Sequence, residues 1–302
     1  SSCAIHVNMD GTVNLATGSA DLSGTRMTLA MQAAEILGIP VEQITCTVAD
    51  TDAVGYTFQS VGSRTTFATG FAVVKAAEQI MQTMAARAAL IWDTDPANVV
   101  VGVGEFTHKD DAGKKLSFAE IAAKAEETGG QIIAQHSANP HGVGPQLAAN
   151  LVDVEVDPET GKVDILRFTA FQDVGKAVHP DYVEGQMQGG VVQGIGWALN
   201  EEYWYNAKGQ LANASLLDYR MPTTLDVPMI ECVILETPNP GHPFGVRGVG
   251  EVPIVPPPAA IANAIHNAVG VRLYDLPMKP GVVLEALWAK QGQGAAAAGK
   301  VA

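Results

Sequence analysis

Apolar and polar residues alternate along 5–8 and again along 13–17, with Asp10-Gly11 between them, a pair that turns one strand back on another. The period then lengthens. Met27, Leu29, Ala30, Met31, Ala33, Ala34 and Leu37 fall at helical spacing over residues 24–37, and Gly38-Ile39-Pro40 stops the run. A strand is predicted over 44–48. Residues 66–92, rich in Ala, Met and Ile at helical spacing, predict one long helix. A hairpin over 99–103 and 105–108 and a short helix over 118–127 follow. Gly129-Gly130 and the Gly/Pro-rich run 140–145 bracket one more strand, and that run is the expected crossover between two lobes.

Beyond the crossover, strands are predicted over 148–156 and 163–171, joined by Asp157-Pro158-Glu159-Thr160-Gly161. A helix over 182–199, strands over 201–205 and 229–236, and helices over 259–269 and 281–289 complete the pattern. Residues 291–302 are rich in Gly and Ala and are expected to fray. Strands and helices mix without βαβ regularity and without an internal repeat. The expected fold is α+β, as two mixed lobes over 1–140 and 141–302.

Composition narrows the function. With 302 residues, 47% of them hydrophobic and 17% charged, the chain has the usage of a globular protein with a large core. A net charge of −14, with no cluster of Lys or Arg, speaks against nucleic acid and against an anionic membrane surface. No apolar run reaches the roughly 18 residues of a membrane helix, and the opening hairpin does not read as a leader. Cys3, Cys46 and Cys232 are widely spaced, with no CxxC; buried free thiols in a reducing, cytoplasmic setting are expected.

Three stretches carry candidate chemistry. Gly248-Val249-Gly250-Glu251 runs into Val252-Pro253-Ile254-Val255-Pro256-Pro257-Pro258, so a single carboxylate sits on a turn with a permissive backbone before it and a stiff one after it. Glu251 is then either a solvated loop residue or a base presented at a site. Gly62-Ser63-Arg64-Thr65-Thr66 opens the long helix. Hydroxyls, a guanidinium and a helix N-terminus suit a phosphate, although Ser and Thr are also ordinary helix caps. Residues 185–196 hold five glycines, but not in the order or context of a dinucleotide fingerprint. A glycine face for close packing is the plain alternative. The seven histidines form no H-x-x-x-H pair, and surface or capping roles are expected of them.

The words fall in a familiar order. Gly245-Val246-Arg247-Gly248-Val249-Gly250-Glu251 resembles the G-x-K-G-x-G-E of the molybdenum-cofactor subunit of the xanthine oxidase (molybdenum hydroxylase) family, with Arg247 for lysine. Leu217-Asp218-Tyr219-Arg220-Met221-Pro222-Thr223, Gly185-Gln186-Met187-Gln188-Gly189-Gly190 and Gly62-Ser63-Arg64-Thr65-Thr66 match further segments. Asp173-Val174-Gly175-Lys176-Ala177-Val178-His179-Pro180 matches D-x-G-x-x-x-N-P with His179 for Asn. Asp21-Leu22-Ser23-Gly24-Thr25-Arg26 stands where many members carry G-Q-G, so Ser23 replaces a glutamine and puts one pterin contact in doubt, which Arg26 or Ser23 would have to replace.

The resemblance implies the C-terminal half of a molybdenum subunit. It implies hydroxylation of an N-heterocycle or aldehyde carbon with oxygen derived from water, Glu251 acting as general base at the metal. Gln186 is expected on the pterin, with Gly62, Ser63, Arg64, Thr65, Thr66, Ser23, Gly24 and Gly250 around the cofactor. These segments are expected to converge on one pocket across the lobe boundary. The metal itself is held by the pterin's dithiolene sulfurs and by no side chain. The cofactor is expected in its cytosine dinucleotide form, with iron–sulfur clusters and FAD on partner chains. The N-terminal half of the molybdenum subunit, as a separate chain or as a segment of a longer one, is the expected first partner, and an iron–sulfur subunit the second. A cofactor-carrying or inactive pterin-binding subunit is the alternative. Carbon monoxide dehydrogenase-type or hydroxybenzoyl-CoA reductase-type chemistry is a third reading.

Overall fold

The computed structural model describes residues 1–48, 50, 52–140 and 144–292. The chain divides into two compact units. The first holds Ser1–Pro145, Gly175–Tyr182 and Thr237–Gly248; the second holds Gln146–Val174, Val183–Glu236 and Val249–Ala302. Of the expected crossover, His141, Gly142 and Val143 lie outside the described residues, as do 293–302 of the tail.

In the first unit, β1 (Ser2–Val7) and β2 (Val13–Thr17) form the expected hairpin, with Ile5 opposite Leu15. Helix α1 (Thr25–Leu37) crosses back to β3 (Ile44–Val48), which lies parallel to β2, so one βαβ unit exists where none was expected. The long helix α2 (Gly70–Trp92) is preceded by a π-helical turn, Thr65–Thr69, which periodicity alone did not separate from it. Strands β4 (Val99–Val101), β5 (Glu105–His108) and β6 (Asp111–Ser117) make a small antiparallel sheet. The last of these was not predicted. Short helices α3 (Phe118–Ala123) and α4 (Ala125–Thr128) lead to β7 (Ile132–Ser137), which completes the larger sheet in the order β3-β2-β1-β7. Ile5, Val13 and Leu15 of this sheet, Leu29, Ala33 and Leu37 of α1, and Val73, Ile80 and Met84 of α2 belong to one buried core. That core is the main force holding the unit together.

The second unit is built on β8 (Ala148–Val156) and β9 (Val163–Asp173), antiparallel neighbours with a bulge at Asp153/Val154. Helix α5 (Pro180–Leu199) follows, its first turn belonging to the first unit. Strand β10 (Ile230–Leu235) adds to β9 in parallel, making β9 the central strand. Helices α6 (Pro257–Val269) and α7 (Pro280–Lys290) end the described chain, with prolines in first turns where no amide hydrogen bond is lost. The strand expected over 201–205 does not form. Tyr205 makes only an isolated bridge to Leu211, on an arm of turns. Cys3 is buried and free, as expected, whereas Cys46 and Cys232 are free but half-exposed. Burial pushes the Cys3 thiol up to about 12 and that of Cys46 up to about 11, so both are inert thiols at neutral pH.

Candidate functional site

In the second unit, Gly250-Glu251 leads into a short 3₁₀ turn, Val252–Ile254, and then into α6. Glu251 has ordinary helical dihedrals (φ −97°, ψ −16°) and an exposed side chain, so the turn presents the carboxylate without backbone strain. Its seat is α5. A Cβ at Gly190 would stand 2.7 Å from the Pro253 Cβ, and one at Gly194 would stand 2.7 Å from the Pro257 ring. Only glycine admits these proline rings so close to the helix. The packing face of α5 is thus Gly190 and Gly194, four residues apart on one side. Gln186, half-exposed, is one turn further along that same side, toward the start of the Glu251 turn. Gln172 donates from Nε2 to the Val249 carbonyl at 3.2 Å, a partner 77 residues distant that sequence reasoning missed.

In the first unit, Gly62 and Ser63 are both left-handed (φ +63° and +57°). For Ser63 that is a costly conformation, of the kind that clusters where a loop must meet a ligand. Arg64 precedes the π-helical turn, whose first residues carry no acidic side chain and no side-chain cap. The first turn therefore adds no negative charge of its own to the positive helix end. Thr65 donates from its hydroxyl to Ser60 Oγ at 3.0 Å, and Thr66 Oγ1 lies 3.2 Å from Thr28 Oγ1 on α1. Gln32 Nε2 donates to the Thr66 carbonyl. The Arg64 guanidinium lies over the Phe58 ring at 5.2 Å, and its Nη1 is buried with no hydrogen-bond partner among the described residues. It lines a cavity of about 680 Å³ shared with Tyr56, Phe58, Ser137 and Asn139. A buried guanidinium nitrogen unpaired among the described residues, hydroxyls and a helix start without an acidic residue in its first turn are the kind of donor set that suits an oxyanion.

His242 braces this segment from below. Its ring packs against Phe67 at 5.2 Å and edge-on against Phe71 at 6.2 Å, and it is 5% exposed. The expectation of surface or capping histidines fails here, because a ring among three phenylalanines buries well as a neutral base. Nδ1 accepts the Phe244 amide at 3.1 Å, which leaves the proton on Nε2, an atom without a hydrogen bond of normal geometry. Burial lowers its pKa to about 4, with the Phe67 carbonyl acting in the opposite sense.

Ser23 and Gly24 are also left-handed in succession (φ +53° and +79°), and the Thr25 amide donates to the Leu22 carbonyl, as in a mirror-image β-turn. This helix start is already served. The Asp21 carboxylate accepts the Arg26 amide at 3.0 Å and pairs with the Arg26 guanidinium at 3.3 Å. Arg26 is thus engaged within its own turn, while the Ser23 side chain is exposed. The Tyr182 ring occupies the space a Cβ at Gly24 would need, and it stacks on His179 at 3.7 Å. His179 Nδ1 accepts the Tyr182 amide at 3.4 Å, the capping task an Asn performs at a helix start. Arg247, in the place of a lysine, donates to the Thr237 and Pro145 carbonyls and is buried. The first unit therefore joins residues 62–66 to α1 through Thr66 and Thr28. The second seats Pro253, two residues after Glu251, against Gly190 on α5.

Comparison with known proteins decides what this arrangement is. Residues 1–228 match the family described as "Molybdopterin cofactor-binding domain". The chain belongs to the molybdenum hydroxylase family. The molybdenum hydroxylase chain is 33% identical over 281 residues to the xanthine dehydrogenase molybdenum-binding subunit of Escherichia coli O157:H7, covering 91% of this chain and 37% of that one. It is 33% identical over 301 residues to the nicotine 6-hydroxylase large subunit of Paenarthrobacter nicotinovorans, covering 93% and 36%. Its fold matches the crystal structure of quinoline 2-oxidoreductase from Pseudomonas putida 86 with a TM-score of 0.87 at 29% identity, over 95% of this chain and 38% of that one. The chain thus spans little more than a third of the length of these relatives. Its mixed helices and sheets are those of the family's molybdopterin-binding domain. No helix among the described residues is long and apolar enough to cross a membrane.

Proposed function

We propose that this chain carries the general base of a molybdenum hydroxylase that oxidises an electron-poor carbon of an N-heterocycle or an aldehyde, with oxygen taken from water. The observation that carries the reading is the seat of Glu251. A carboxylate on a Gly-Val-Gly turn is held between two rigid attachments, within a family that binds molybdopterin. When bound, the molybdenum–molybdopterin group supplies the two-electron redox chemistry. Glu251 would accept a proton beside the bound group, as its general base. Glu251 is exposed in this chain, so excluding water from it falls to the bound ligand and to further parts of the enzyme. Gln186, whose amide both donates and accepts, reads an edge of the pterin. Arg64, Ser63, Thr65, Thr66 and the backbone at Gly62 hold the phosphate, Arg64 through the nitrogen that has no hydrogen-bond partner among the described residues. Ser23 and Gly24, which do not line the cavity at Arg64, are proposed to lie beside the cofactor at another point. Gly250 lets the backbone come close to the cofactor beside Glu251.

The cytosine dinucleotide form, iron–sulfur clusters and FAD on partner chains, the remaining part of the molybdenum subunit and a cytoplasmic setting complete the proposal. A cofactor-carrying subunit without catalysis needs the phosphate and pterin contacts but no base, so one substitution separates the two readings. Glu251→Gln in the assembled enzyme is expected to keep the molybdenum content and to lower turnover of xanthine, nicotine, quinoline or an aldehyde, whichever the wild type accepts, by about 10²–10⁴-fold. Wild-type turnover at full molybdenum loading would remove Glu251 from the chemistry.

A further inference from the structure

We propose that Gln172 is the positioning residue of the Glu251 turn, an inference that rests on the general-base reading above. Gln172 lies near the end of β9, the central strand of its sheet, paired to Ala148 on one side and Ile234 on the other. Strand alternation puts it on the same face as Phe168 and Ala170, which are 0% and 2% exposed, and Gln172 itself is 1% exposed. A buried amide in an apolar row costs stability unless its hydrogen bonds are made. Only one of them is. Nε2 donates to the Val249 carbonyl at 3.2 Å, and Oε1 is buried with no donor among the described residues. The orientation follows from the partner, because a carbonyl can only accept, and turning the amide over would set two oxygens against each other.

The carbonyl that Gln172 holds is two residues before Glu251. Glycines flank Val249, so the turn has little intrinsic rigidity of its own. Two anchors supply it. Upstream, Gln172 fixes the Val249–Gly250 peptide to the most constrained strand of the sheet; downstream, Pro253 is seated against Gly190 on α5. Glu251 lies midway between them. A methionine at 172 would fill the space without an unpaired acceptor, yet it would release the upstream anchor. The polar choice is therefore expected to cost stability and to serve the geometry of the base.

The test uses the assembled holoenzyme with Gln172→Met, Gln172→Asn, which is one methylene short of the carbonyl, and Gln172→Glu, whose buried acid can donate to the same carbonyl while protonated. Amide hydrogen exchange over residues 248–252 is expected to rise about tenfold in the Met and Asn variants with molybdenum content unchanged, while the melting temperature of the Met variant is no lower than that of the wild type. Turnover is expected to fall about 10–100-fold at unchanged KM, the effect of a misplaced catalytic group. Gln172→Glu is expected to restore both at low pH and to lose them as the acid ionises, a dependence that simple packing would not produce. Wild-type exchange and wild-type turnover in whichever of the Met and Asn variants assembles would overturn the proposal. Glu251→Gln run alongside keeps the two ideas apart: if it turns over normally the general-base reading fails, and the exchange data still decide whether Gln172 holds the turn.

Discussion

His242 shows how a single buried ring braces the start of the long helix, through Phe67 and Phe71. An imidazole that titrates near 6.5 when unfolded and at about 4 when folded binds its proton only in the unfolded chain between those values. Stability from this residue is therefore complete above about pH 6.5 and is lost as pH falls toward 4. The size follows from the 2.5-unit gap, about 3 kcal/mol at most. The expected result is a stability difference between wild type and His242→Phe that narrows steadily from pH 7 to pH 4 in denaturant unfolding. A difference independent of pH in that window would show that the ring is not held neutral by its burial among Phe67, Phe71 and Phe244. The same scale separates two helix starts that look alike in sequence. Asp21 fills the one beside Ser23, whereas the first turn of the one beside Ser63 carries no acidic residue. The proposed phosphate site accordingly lies with Ser63.

At the scale of elements, α5 carries two kinds of glycine. Gly190 and Gly194 meet proline rings, while a Cβ at Gly185 or Gly189 would meet nothing within 4 Å. Alanine at 190 or 194 is expected to destabilise by about 1–3 kcal/mol, because a proline ring cannot give way. Alanine at 185 or 189 is expected to stabilise by about 0.5–1 kcal/mol, through helix propensity alone. Equal effects at all four positions, measured by denaturant midpoints, would refute the packing role. This split explains what the sequence could and could not reveal. Periodicity located α1, α2, α5 and α6 to within a few residues, and alternation located β2, β3 and β8, because burial on one face leaves a local record. It missed β6, whose DAGKKLS segment carries two lysines on an edge strand, where charge is common and the apolar record faint. It invented a strand over 201–205, where the Glu201 and Tyr219 side chains bond to each other and only one bridge forms. Residues 62–66 and Glu251 stood out because glycine, proline and hydroxyl residues mark their turns locally. Gln172 and His242 left no such mark: their partners are 77 residues away for one, and for the other the aromatic rings of the segment 175 residues before it.

At the scale of the whole molecule, two tendencies oppose each other. A net charge of −14 keeps copies of the chain apart. Against it stands the arm over residues 203–229, where Leu217, Leu225 and Met229 are 93%, 95% and 89% exposed and Tyr203, Trp204 and Leu216 are also open to solvent. The arm is not a loose tail. Tyr219 donates to Glu201 at 2.6 Å, its ring lies 5.8 Å from that of Tyr203, and the Asp226 carboxylate accepts the Thr223 amide. An ordered arm that shows this much apolar surface has the character of an interface, and this chain spans little more than a third of the length of the relatives it matches. The lone 302-residue chain is accordingly expected to self-associate with rising concentration and to retain molybdenum poorly. Salt should strengthen the association, since screening removes the repulsion between acidic copies and leaves burial of the arm untouched. Leu217→Ser with Leu225→Ser should weaken it without lowering the melting temperature, because neither side chain is buried in the chain itself. Sedimentation velocity at low and high salt reads all of this directly. A monomer at every concentration and ionic strength, with stoichiometric molybdenum bound, would show that the arm needs no cover and that this chain holds the cofactor by itself.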